Sequence, residues 1–145
     1  MKVILQRVSR ASVTVDKQIV GSIGKGDVVL LGIGKDDSCE KVDRMVEKIR
    51  KLRIFPDEND KINLSIEDIC GEILVVSQFT LYADCKKGNR PSFTEAGSPQ
   101  LAEELYDYFI EVSQGKFSKV AHGVFGTHML VELVNDGPFT VILEE

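Results

Sequence analysis

Two uninterrupted apolar runs constrain this chain most: Val28-Val29-Leu30-Leu31-Gly32-Ile33 and Ile73-Leu74-Val75-Val76. Neither alternates with polar residues, so neither fits a strand with one wet face. Each reads as a buried strand, which needs material packed against both sides of its sheet. The second run ends abruptly in Ser77-Gln78-Phe79-Thr80-Leu81, and a polar loop rich in Lys, Gly and Pro follows. Strand ends that feed loops are where a rigid scaffold presents chemistry. A regular strand over 72–81 puts Gln78 and Thr80 on one side and Ser77 and Phe79 on the other.

The segments around these runs can be read from periodicity and punctuation. Residues 2–15 alternate, with Val3, Leu5, Val13 and Val15 on the apolar side; Arg7, Ser9 and Arg10 interrupt the middle and predict a bulge or bend. Asp16-Lys17-Gln18 and Gly24-Lys25-Gly26-Asp27 are turn signals. Asp37 and Glu40 stand at capping-box spacing before a helical stripe of Val42, Met45, Val46, Ile49 and Leu52, and Pro56 is expected to end that element. Residues 61–70 read as irregular, or as a short strand and turn. Ser98-Pro99 opens a second helix with the stripe Leu101, Leu105, Tyr108, Phe109 and Val112, and Gly115 lies beyond its end. Strands are expected over 119–124, 128–134 and 139–143, the last two separated by a turn at Asn135-Asp136-Gly137-Pro138. The order predicts an α/β chain with mixed sheets, or two packed sheets, and both helices on one side.

A length of 145 residues fits a single domain over 1–145 that needs no metal or disulfide to fold. Cys39, Cys70 and Cys85 are odd in number and form no C-x-x-C pair, which points to a reducing setting. No apolar run approaches a membrane span, and the first residues lack a signal-peptide pattern. A cytoplasmic protein with no membrane partner is the expectation. The net charge of −5 argues against broad binding to nucleic acid, yet leaves room for a small basic patch that grips one end of an RNA.

Little conventional catalytic equipment is present. His122 and His128 stand without a ligand cluster, so no metal is expected. Gly21-Ser22-Ile23-Gly24-Lys25-Gly26 has the residues of a phosphate loop in the wrong order. Lys86, Lys87 and Arg90 cluster beside Gly88 and Pro91, either as ordinary charges of an exposed loop or as a phosphate contact. Residue types alone make Gly137-Pro138 a trans turn.

Several separated motifs, taken together, resemble the bacterial-type D-aminoacyl-tRNA deacylases from Met1 to the end. They are Leu5-Gln6-Arg7-Val8, Leu52-Arg53-Ile54-Phe55, Leu74-Val75-Val76-Ser77-Gln78-Phe79-Thr80-Leu81, Gly88-Asn89-Arg90-Pro91-Ser92-Phe93, Gly123-Val124-Phe125-Gly126 and Asn135-Asp136-Gly137-Pro138-Phe139-Thr140. The resemblance implies a three-layer α/β/β fold with two main helices, a homodimer, and no cofactor or metal. It implies hydrolysis of the ester joining a D-amino acid to the 3′ end of tRNA, and removal of glycine misplaced on alanine tRNA. The catalytic segment falls on Ser77, Gln78, Phe79 and Thr80. A Gly-cis-Pro motif falls on Gly137 and Pro138 and reaches the partner's pocket, with Arg7 as its brace. Phe125 and Met129 line the pocket or meet the terminal adenine. The terminal ribose 2′-hydroxyl is implied to assist the attack; a Thr80 nucleophile is the alternative, with no adjacent base to activate it.

Two rival readings accompany this one: a relaxed-chirality deacylase of mischarged L-amino acids, and a non-catalytic module that binds the tRNA end. The relaxed branch carries Pro-Gln-Ala-Thr and a trans Gly-Pro, so Ser77 and Phe79 favour the D-specific side. The chain departs from the family's usual pattern at Thr127-His128 and at Phe139.

Overall fold

The apolar run at 28–33 becomes the middle of the molecule. In the computed structural model, which describes residues 1–145, it lies in β3 (Gly26–Gly32), between β1 (Lys2–Val15) and β6 (Glu72–Ser77). β1 is antiparallel to β3, whereas β6 is parallel to it, and β7 (Lys119–His122) continues the parallel set beside β6. β2 (Gln18–Ile23) returns from β1 through Asp16 and Lys17, both with positive φ as a tight hairpin requires. β8 (Leu130–Glu144) runs antiparallel along β1. A two-stranded sheet, β4 (Arg53–Pro56) with β5 (Ile62–Ser65), stands apart.

Both helices cover one face of the main sheet, as the order of elements predicts. α1 (Cys39–Lys51) contributes Val42, Met45, Val46 and Ile49, and α2 (Pro99–Ser113) contributes Ala102, Leu105, Tyr106 and Phe109, to one core of 19 buried residues. A second core of 8 lies within the curl of the sheet and includes Val8, Val13, Val28, Leu74 and Val76. That is why the run 73–76 has no polar positions: Ile73 and Val75 face the first core while Leu74 and Val76 face the second. The result is one α/β domain with a mixed, nearly closed sheet and helices outside it.

The bulge predicted from Arg7, Ser9 and Arg10 is where both long strands change the face they present. Early in β1, Val3 and Leu5 point to the helix side; later, Ala11 and Val13 point into the curl. β8 does the same, with Val141 and Leu143 toward the helices and Val131 and Leu133 toward the curl. Gln6 pairs with Thr140 and Val8 with Asn135, so the residues from Asp136 to Phe139 arch out opposite Arg7.

Several expectations are corrected. Residues 135–138 are not a turn between two strands but an arch within one, because both arms pair with β1 in the same direction. The strand expected over 72–81 stops at Ser77, and Phe79–Tyr82 form a short 3-10 helix, so the side-to-side alternation of residues 77–80 does not hold. Asp37 does not cap α1; Ser38 occupies that position. The Asp37 carboxylate is taken up by the Met1 ammonium at 2.6 Å and the Gly34 N–H at 2.7 Å. Pro56 does not end α1, which stops at Lys51; it closes β4 instead. The strand expected over 119–124 ends at His122. In α2 the buried stripe includes Ala102 and Tyr106, while Tyr108 bonds Asp43 at 3.1 Å near the surface. Ser98 caps α2 as expected, accepting from the Leu101 N–H at 3.3 Å, with Pro99 first in the helix.

Candidate active site

Parallel strands deliver their carboxyl ends to one edge of a sheet, and ligands bind in the crevices left there. A cavity of about 620 Å³ opens at this edge. Leu31, Ile33 and Val76 form its floor, at the ends of β3 and β6, and Ser77, Gln78 and Phe79 form its rim. α2 supplies Ala102 and Tyr106, and the segment 125–129 between β7 and β8 closes the far wall.

The rim is shaped by how β6 ends. The Gln78 N–H donates to Leu31 O at 2.8 Å, a last ladder bond before the chain bends into the 3-10 helix. The first N–H groups of a helix have no carbonyl behind them to bond. Those of Phe79 and Thr80 are the ones freed here. The Gln78 side-chain amide donates to Thr80 Oγ1, leaving the Thr80 proton without a base. Phe79 is 58% exposed and meets Phe93 edge-on, with ring centroids 4.9 Å apart.

The far wall is held by Tyr106. Its hydroxyl lies 3.1 Å from Val75 O and 3.2 Å from Gly123 O, tying α2 to β6 and to the start of the segment 123–129. Burial pushes the Tyr106 hydroxyl well above the usual tyrosine range, so it stays protonated and donating. Its ring leans on Phe125 at 5.8 Å. Met129 Sδ packs against Gly123 so closely that a Cβ there would fall 2.4 Å from the sulfur.

Of the residues singled out in the sequence, Ser77, Gln78, Phe79, Phe125 and Met129 line the cavity, and Thr80 sits beside it, bonded to Gln78. Arg7, Gly137 and Pro138 do not. They gather where β3 begins, about five strand residues or ~16 Å from its carboxyl end. There Arg7, 6% exposed, donates from Nη1 to Ile54 O at 2.5 Å and from Nε to Asp136 O at 2.8 Å. Its guanidinium lies 4.9 Å from the Phe139 ring centroid. The Gly137–Pro138 peptide is cis, and both residues are exposed. Opposite Arg7 on β3 is Asp27, whose carboxyl is buried with neither oxygen hydrogen-bonded. Burial pushes Asp27 up to about 7, against the pull of Arg7.

Sequence reasoning missed Tyr106 and Asp27. The signal for Tyr106 was its spacing from Ala102, Leu105 and Phe109 on one helical face. Asp27 stands at the edge of a turn-like Gly-Lys-Gly-Asp string, and only the register of β3 against β1 reveals its burial.

The molecule is thus an α/β domain with a cleft at the carboxyl ends of parallel strands, backbone donors at one lip and an aromatic pair beside them. Comparison with known proteins narrows this. The family model described as D-Tyr-tRNA(Tyr) deacylase matches residues 4–144. A protein of Clostridioides difficile (strain 630) named D-aminoacyl-tRNA deacylase is 54% identical over 144 residues, covering 99% of this chain and 97% of that one. A Fervidobacterium nodosum protein of the same name is 51% identical over the same shares. Among solved structures, the c-Myc DNA Unwinding Element Binding Protein superposes with a TM-score of 0.94 at 43% identity, covering 100% of this chain and 99% of that one. A probable eukaryotic D-amino acid tRNA deacylase superposes at 0.86 with 21% identity, covering 98% and 97%, which speaks for the fold alone. The chain belongs to the D-Tyr-tRNA(Tyr) deacylase family.

Proposed function

We propose that this chain hydrolyses the ester between a D-amino acid and the 3′-terminal ribose of tRNA. The observation that carries the reading is the position of Ser77-Gln78-Phe79, the segment matching the family's catalytic motif, on the rim of the cavity. Water adds to the ester carbonyl, the bond from that carbon to the ribose 3′-oxygen breaks, and the oxygen leaves with a proton. Free D-amino acid and tRNA result. The N–H groups of Phe79 and Thr80 are the donors for the oxyanion that develops in between. The RNA supplies its own 2′-hydroxyl as the assisting group, in keeping with a Thr80 hydroxyl that has Gln78 and no base as its neighbour. Replacing the terminal adenosine by its 2′-deoxy form is expected to slow single-turnover hydrolysis by about 10²–10⁴-fold. Thr80→Ala is expected to keep substantial activity. Complete loss with binding intact would assign the attack to Thr80.

Handedness is judged by backbone. Gly137 and Pro138 of one subunit enter the cavity of a second copy, and their carbonyl oxygens hold the substrate's amino group. An L side chain then meets main chain while a D side chain points to solvent. Glycine has nothing to collide, so glycine misplaced on alanine tRNA is also a substrate. The distance between Gly137–Pro138 and the cavity of their own chain supports a homodimer: one chain cannot bring the two together. Deacylation of D-tyrosyl-tRNA and L-tyrosyl-tRNA tests the reading. Rapid loss of the D ester alone is expected. Equal loss of both would point to the relaxed-chirality branch, and loss of neither at high enzyme concentration to a binding module.

A further inference from the structure

The loop that follows the rim is left without a task by the chemistry above. Residues 84–95 are exposed, and the segment is pinned at its base by paired hydrogen bonds between Asp84 and Ser92, at 2.7 and 3.0 Å. Its tip carries Lys86, Lys87 and Arg90, none of which has an ion-pair partner within 4.0 Å. The two nearby acids are already engaged: Asp84 Oδ1 accepts from the Lys86 N–H at 2.9 Å, and Glu95 pairs with Lys35 at 3.0 Å. Three free cations within five residues are conspicuous in a chain of net charge −5. Gly88, at φ 68°, has open space around it, so a ligand can approach the tip closely.

The loop also has a fixed relation to the cavity. Phe93 lines the cavity and packs on Phe79 of the rim. Arg90 is three residues away, a reach of at most about 11 Å. From the proposed function, on which this step rests, the terminal nucleotide sits in the cavity and the RNA strand must leave over its mouth. We infer that Lys86, Lys87 and Arg90 hold phosphates of the tRNA strand just before its terminal nucleotide. Such contacts grip the backbone and carry no sequence information. They would allow one active site to serve many tRNAs.

The test compares the wild-type protein with a triple variant, Lys86→Gln, Lys87→Gln and Arg90→Gln. All three side chains are exposed and outside any helix or strand, so an unchanged melting temperature is expected. Two substrates are used: D-tyrosyl-tRNA, and D-tyrosyl-adenosine, which lacks every upstream phosphate. On tRNA, the half-saturating concentration is expected to rise about tenfold or more at moderate salt, with the maximal single-turnover rate unchanged. Its log–log slope with salt is expected to fall by about 0.7 per lost phosphate contact. Hydrolysis of D-tyrosyl-adenosine is expected to be the same for both proteins.

An unchanged half-saturation and salt slope on tRNA would overturn the inference, as would an equal loss on both substrates. A patch made for an acidic protein surface would give the first of these results. Should the wild type hydrolyse neither substrate, the proposed function fails instead. Anisotropy with uncharged tRNA then still decides about the loop: weaker, less salt-sensitive binding by the variant supports it, and equal binding overturns it.

Discussion

At the scale of single residues, Asp27 and Gly137 carry the sharpest tests. Asp27 is 1% exposed and its carboxyl is pushed up to about 7. The cause is burial, which Arg7 only partly offsets. An unfolded aspartate titrates near 3.9, so between the two values the folded protein holds a proton that the unfolded chain has released. Its contribution is therefore largest below pH ~4 and is lost as pH rises toward ~7. Asp27→Asn removes that dependence. The stability of wild type relative to variant should fall by about 4 kcal/mol between pH ~4 and pH ~8. Urea unfolding of both proteins across that range checks it, and parallel pH profiles would contradict it. Gly137 has φ 138°, and a Cβ there would lie 3.0 Å from Arg7 Nη2 and 3.0 Å from the Phe139 nitrogen. Gly137→Ala is expected to cost about 1–3 kcal/mol and to disturb the arch. The denaturation midpoint reads the first effect and the D-to-L rate ratio the second. At this scale the motifs pointed to five residues that line one cavity, Ser77, Gln78, Phe79, Phe125 and Met129, and to three that lie away from it, Arg7, Gly137 and Pro138. Asp27 was not, because its surroundings come from a strand twenty residues away in sequence.

At the scale of elements, the misreadings share a cause. Periodicity reports which face a residue presents, not where the chain bends. The polar residues at 77–80 suit a strand end and a helix start equally well, and the ladder bond from Gln78 to Leu31 decides where β6 stops. Asn135-Asp136-Gly137-Pro138 has the composition of a reversing turn, but β1 offers an edge on both sides of it. Asp37 is a good cap by type, yet stronger partners claim it: burial alone would raise its pKa, but the Met1 ammonium, the Gly34 N–H and Lys41 together lower it. The apolar runs, the α2 cap and the bulge in β1 were legible because each rests on local geometry. Tyr106 is an element-scale fastener between α2, β6 and the cavity's far wall. Tyr106→Phe removes one donor from two carbonyls that keep other partners, the Gly123 N–H at 2.9 Å for Val75 O and His122 Nδ1 at 2.8 Å for Gly123 O, and should destabilise the protein by about 0.5–1.5 kcal/mol. Faster hydrogen exchange confined to residues 123–129 would show the wall loosened; exchange unchanged there would argue against the fastening role.

At the scale of the whole molecule, no helix is long and apolar enough to cross a membrane. The sheet instead leaves apolar surface on β8, a strand of 15 residues none of which is buried. Leu130 is 60% exposed and Ile142 is 68% exposed, each pointing away from the core that its own half of β8 packs against. An exposed apolar strand face is an invitation to association. The homodimer proposed above needs such a surface for its second copy. The separation of the two motifs was implied by the family resemblance alone; spacing and periodicity could not give it, because it depends on which end of β3 each motif reaches.

In the proposed homodimer the site is complete only when two chains share it. Leu130→Glu combined with Ile142→Glu should give a monomer, and its folding can be checked by circular dichroism. The decisive measurement is the ratio of D-tyrosyl-tRNA to L-tyrosyl-tRNA hydrolysis by that monomer. The ratio is expected to collapse toward one. A folded monomer that cleaves the D ester and spares the L ester as well as the native protein does would contradict it.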